Sequence, residues 1–117
     1  MTAANLPLAI EQGTLFERVL TLKEEDTGQH LNLADCTAHM QIRPCAGSAD
    51  LLHDMSTDNG GLTIDGPAGT VTLHIPAATT ATFMWRRAEY DLMLYDSGGE
   101  PVRLIAGPVS VIPVVTR

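Results

Sequence analysis

The sequence predicts an all-β protein, an antiparallel immunoglobulin-like (Ig-like) β-sandwich of about seven to nine strands with one short helical turn. Three observations lead there. Apolar and polar residues alternate over short stretches, the period of a half-buried strand. Clusters of Gly, Asn, Asp and Pro interrupt these stretches at roughly ten-residue spacing. A single stretch has helical character.

Residues 1–6 are set aside as a flexible N-terminal arm, and 7–117 are read as one sandwich domain. "PLAIEQG" (7–13) is a short first strand. "TLFERVLTLK" (14–23) is a second, with Phe16, Arg18, Leu20 and Leu22 on one parity and Leu15, Val19 and Thr21 on the other. Both parities carry apolar residues, so a bulge near Arg18 is expected. "EEDTGQHLNL" is a turn with Thr27-Gly28 at its tip. "CTAHMQIR" (36–43) directs Ala38, Met40 and Ile42 inward, and Cys36 shares their parity. "LLHDMST" (51–57) and "LTI" are strands around a polar hairpin turn, "DNGG", because Asn and Gly tolerate positive φ. "TVTLHI" (70–75) points Val71, Leu73 and Ile75 inward.

"PAATTATFM" (76–84) is the helical candidate. Pro76 suits a first turn, but three threonines limit the helix to one or two turns bridging the sheets. "AEYDLMLYD" (88–96) buries Tyr90, Leu92 and Leu94, "SGGE" turns, and "PVRLIAGPVSVIPVVTR" returns. Gly107-Pro108 is expected to split this last segment at an edge or a bulge, since proline donates no ladder bond.

A chain of 117 residues buries roughly two thirds of its unfolded surface, enough for one core without metal or disulfide. Charged residues are 18 %, below the roughly 25 % usual for a domain, which is consistent with surface covered by partners. The net charge of −7 and the scattered basic residues disfavour nucleic acid. No apolar run approaches the ~20 residues of a membrane span, and "MTAANLPLAI" lacks the pattern of a secretory signal. Synthesis and retention on the cytoplasmic side, with no membrane contact, are the expectation. Two cysteines make no disulfide framework.

Candidate chemistry meets a plainer reading at each place. "CTAH" has zinc-like spacing, but Cys36 and His39 project to opposite faces of a strand. "DMSTDNGGLTID" echoes a calcium loop, yet Asn59 stands where glycine is needed and Asp65 where a bidentate Glu is usual. The histidines His30, His39, His53 and His74 are dispersed; His39 and His74 share outward parity and are the pair placed to meet across strands. Glu89 and Asp91 share an outward face as solvated decoration. No nucleophile elbow, phosphate loop or acid–base pair stands out, so no catalytic residue, metal or cofactor is assigned. "FMWRR" (83–87) joins the only tryptophan to two arginines, residue types enriched at binding hot spots. Phe83 reads as a cap on the core. Trp85 and Arg86 suit either a cap, with arginines snorkelling over it, or a contact.

The ordered series "IEQGTLFERVLTL", "LNLADCTAHMQIRP", "LLHDMST", "NGGLTIDGPAGTVTLHIPAATTATF", "AEYDLMLYD" and "PVRLIAGPVSVIPVVTR" resembles a family of small phage and prophage virion proteins. It is similar to the N-terminal β-sandwich of upper baseplate proteins in phages of lactic bacteria. The resemblance runs from about Leu8 to Arg117. It implies an assembly module that docks onto other tail or baseplate proteins, here without a stalk after Arg117.

The expectation is a non-enzymatic virion structural protein, most simply a tail or baseplate component. It is present in multiple copies or as a homo-oligomer, and its partners are other virion proteins. Trp85, Arg86, Arg87, Leu6 and Pro7 are its candidate contacts. The alternatives are a capsid decoration (cementing) protein and a receptor- or carbohydrate-binding sandwich. Five aromatics, several with inward parity, offer the latter a sparse stacking platform.

Overall fold

The computed structural model describes residues 4–22 and 33–116. The expected turn at Thr27-Gly28 and His30 lie outside these residues. Among the described residues, nine strands and one helix run in the order β1 (Ala4–Asn5), β2 (Leu8–Glu11), β3 (Phe16–Thr21), β4 (Thr37–Arg43), β5 (His53–Ser56), β6 (Leu62–Asp65), β7 (Thr70–Ile75), α1 (Ala77–Thr80), β8 (Arg87–Tyr95) and β9 (Pro101–Ile112). They form a β-sandwich. The larger sheet has the order β1-β9-β8-β4-β5, with β2 also on β9, and the smaller has β3-β7-β6.

The alternating segments become strands because one parity finds the core. Met40, Ile42, Val71, Leu73, Ile75 and Leu92 are essentially inaccessible to water, and Tyr90 and Leu94 follow them inward. Polar neighbours on the opposite parity remain at the surface, as period-two geometry requires.

Six expectations need correction. The sheets are not wholly antiparallel: β1 and β2 run parallel to β9, Leu8 beside Val109 and Ile10 beside Val111. The first and last strands are joined through the whole chain rather than by a hairpin, so nothing forces them to oppose. Residues 4–6 are also not loose. They form β1, and the Leu6 N–H donates to the Ala106 carbonyl at 2.9 Å.

No bulge occurs at Arg18, for β3 pairs with β7 in unbroken register from Phe16↔Ile75 to Thr21↔Thr70. Arg18 keeps the inner parity of Phe16 and Leu20 and still reaches solvent, because β3 is an edge strand. The bulge lies instead between β8 and β9, where Leu92 faces Ile105 but Met93 faces Arg103, leaving Leu104 as the extra residue. This shift puts the odd positions Ile105, Val109 and Val111 into the core. Gly107-Pro108 does not split β9. Ala106 and Ile112, of Pro108's parity, accept from the N-terminal segment, so the missing proline donor faces the gap between β1 and β2.

"DNGG" is not a hairpin turn either: β5 lies in one sheet and β6 in the other, so it carries the chain between layers. Asn59 ties this crossing, its Oδ1 accepting from the N–H of Ser56 and of Gly61 at 2.9 Å each.

The helix is one turn long, as its threonines dictate. Pro76 sits at the N-cap rather than inside the first turn, and its carbonyl accepts from Thr79 and Thr80. Thr80 is fully buried, and its hydroxyl donates to the Thr14 carbonyl at 2.7 Å. Thr82 bonds back to the Thr79 carbonyl at 2.7 Å, a competing local bond that ends the helix. α1 thus bridges β7 of the smaller sheet and β8 of the larger one, as expected.

Candidate functional site

The chain gathers its unusual surface at one end of the sandwich, where β2, β4, β7 and β9 finish and β3, β5 and β8 begin. Five of the seven large exposed hydrophobics among the described residues lie in segments at this end: Leu15, Leu51, Met84, Ile112 and Val115. Met84 is 78 % exposed and Val115 93 %, values that no core function explains.

Met84 borders a groove of about 320 Å³ with Gln12, Gly13, Ala81, Val114 and Thr116. Its floor is built rather than incidental. The Gln12 side-chain amide donates to the Phe83 carbonyl at 2.8 Å and reaches the Met84 sulfur at 3.9 Å. Gly13 has φ +80°, a backbone state that glycine adopts freely, and it brings the β2–β3 connection against Val114.

Trp85 is half-buried and stacks on Phe83 with ring centroids 5.0 Å apart. Phe83 is buried and meets His53 edge-on at 5.4 Å, so it caps the core as expected. Burial pushes the His53 imidazole below its usual pKa, with Asp54 opposing that shift. Arg86 and Arg87 are both exposed at this end, and Arg86 donates to the Met84 carbonyl at 3.3 Å. Trp85, Arg86 and Arg87 therefore share one rim with Met84.

Leu6 and Pro7 are not part of it. Leu6 is half-buried against the core, between β1 and β2, and its carbonyl accepts from the Tyr90 hydroxyl at 2.7 Å. Pro7 is exposed beside it. Sequence reasoning missed Met84, Gln12, Leu15 and Val115. Met84 stands inside "FMWRR", so an apolar residue beside the tryptophan was the available signal.

The histidines do not meet. His39 lies on the outer face of the larger sheet, where its Nε2 approaches Asp54 Oδ1 to 2.6 Å. His74 lies on the smaller sheet, with Nδ1 3.2 Å from Glu17. Hydrogen bonds from His39 and Gln41 hold the Asp54 carboxyl below its ordinary pKa. Arg43 continues this polar ladder, donating to Gln41 at 2.9 Å and to the Ala49 carbonyl at 3.1 Å, which pins the β4–β5 loop. Beside it Asp91 pairs with Arg103 at 3.2 Å, and Glu89 accepts from the Ala46 N–H.

The oxygen side chains of "DMSTDNGGLTID" diverge. Asp54 turns to His39, while Asp65 caps the Ala68 N–H. Cys36 is half-buried, its thiol pushed up first by burial and then by Asp96 and Asp35. Among the described residues no group of three His, Cys, Asp or Glu converges as a metal site, and no helix is long and apolar enough to cross a membrane.

Fold and surface together define a two-sheet β-sandwich with an apolar, arginine-flanked rim. No protein-family model matches the chain, and no curated protein matches it in sequence.

Proposed function

We propose that the protein is a non-enzymatic assembly module of a phage particle, a tail or baseplate component that docks through the rim bearing Met84, Trp85, Arg86 and Val115. The observation that carries the docking reading is the concentration of exposed apolar side chains at one end of an otherwise polar sandwich. A groove with an ordered floor beside them supports it. Methionine fills irregular surfaces, and tryptophan with arginine supplies anchoring area and directed donors. The particle itself rests on the sequence resemblance. Repeated copies on a symmetric scaffold turn weak contacts into stable attachment, because each later contact is intramolecular.

The test is mass spectrometry of particles purified from an induced culture of the host that carries the gene, together with negative-stain imaging. The protein is expected in the particle at the tail or baseplate. Met84→Asp with Val115→Asp removes it while the isolated variant keeps its melting temperature. Absence of the wild-type protein from particles overturns the reading. Location on the head shell replaces it with the decoration role.

A further inference from the structure

A second surface lies away from that rim, on the edge of β3 that no described strand covers. In an antiparallel strand, alternate residues turn their N–H and C=O to opposite sides. The Leu22 N–H donates to Gly69 at 2.8 Å, so the even positions of β3 face β7. Glu17, Val19 and Thr21 therefore present their backbone groups outward, and all three are exposed, Val19 by 59 %.

The other edges are less able to pair. β5 and β6 have four residues each, whereas β3 has six, and the β1–β2 edge is interrupted at Leu6-Pro7. The smaller sheet is three strands wide against five strand positions in the larger. β6 approaches β4 and β5, which leaves β3 as the edge of the smaller sheet farther from them.

Arg18 decides what fits. It shares the inner parity of Phe16 and Leu20, and its charge acts on Tyr90, across the interior on β8. Arg18 has no carboxylate partner among the described residues. An inward charge on an edge strand rejects indiscriminate pairing. It also admits a strand of opposite charge, which is how repulsion becomes specificity.

We propose that the edge of β3 receives, by strand addition, an extended segment of a partner protein that sets a carboxylate opposite Arg18, with apolar residues two positions to either side. A second copy of β3 does not meet this demand. Self-pairing centred on Val19 opposes Arg18 to leucine, and centring it on Arg18 opposes two arginines. The inference concerns the free protein and holds whatever particle it belongs to.

The probe is a fluorescein-labelled peptide, Thr-Val-Thr-Glu-Thr-Val-Thr, followed by fluorescence anisotropy and by amide chemical shifts. Saturable binding that moves the amides of Glu17, Val19 and Thr21 is expected. The same peptide with lysine at its centre binds about tenfold more weakly, the scale of one close charge pair. Val19→Pro deletes an outward N–H that β7 does not use and abolishes binding, and Arg18→Glu reverses the preference toward the lysine peptide while keeping the fold. Equal binding of both peptides, no saturable binding, or a protein dimer in sedimentation that Val19→Pro dissolves overturns the proposal.

Discussion

Gly107 shows how one residue fixes the edge of a sheet. A Cβ at this position would stand 2.6 Å from the Leu6 oxygen and 2.9 Å from the Leu6 carbonyl carbon, both backbone atoms. The absent side chain lets the Tyr90 hydroxyl, opposite Gly107 in register, cross to the Leu6 carbonyl. Gly107→Ala is expected to push the N-terminal segment from β9 at a cost of about 2 kcal/mol or more, from overpacking against backbone. Loss of amide protection at Leu6 and Leu8 in hydrogen exchange checks it.

Tyr90 itself is 4 % exposed, and burial pushes its pKa up to about 12. Below pH ~10 the phenol is neutral folded and unfolded. Above that the unfolded chain releases the proton first, so stability falls as pH rises toward 12, by about 3 kcal/mol in all. Urea titrations at neutral and high pH check this, with Tyr90→Phe expected to lose most of the alkaline decline.

At the scale of elements, the crossing from β7 through α1 to β8 ties the two sheets and carries the docking rim. Thr80 fastens its start to Thr14, while Phe83, stacked between His53 and Trp85, fastens its end. His53 holds its proton less readily when folded. As pH falls below 6.5 the unfolded chain takes up a proton that the folded stack resists, so stability declines on the acid side and is unaffected above that value. Melting curves between pH 7.5 and pH 5, roughly the range in which a histidine titrates, are expected to fall less for His53→Gln than for the wild type. Motion of the Trp85 fluorescence with the same midpoint ties the change to this connection.

For the whole molecule, stability rests on inward parities from both sheets meeting in one core. Leu73 is fully buried on the middle strand of the smaller sheet, facing the larger. Leu73→Ala is expected to cost about 2–5 kcal/mol, through lost burial and the cavity it leaves. Chemical denaturation checks it, with the midpoint lowered and the slope kept. A substitution on the rim, such as Met84→Asp, is expected to move stability by only about 0.5 kcal/mol, since that side chain meets water already.

Strand alternation was legible in "CTAHMQIR", "TVTLHI" and "AEYDLMLYD" because each buries one face, and burial of one face is a local, period-two property. The single helical turn was legible for the same reason, since its proline and threonines act through their own backbone. The candidate rim was half legible: "FMWRR" marks it, but Gln12, Leu15 and Val115 come from segments that meet only when both sheets close. Nothing in "FERVLTL" separates an inward arginine on an edge from a bulge, because edge position belongs to the sheet and not to the strand. The sequence alone determined which residues of those alternating strands turn toward the core. The tertiary structure alone decided which strands neighbour one another, where β9 bulges, that the first strand lies parallel to the last, and that His39 and His74 stand on opposite layers. Those outcomes depend on contacts between residues far apart in the chain, which no local pattern encodes.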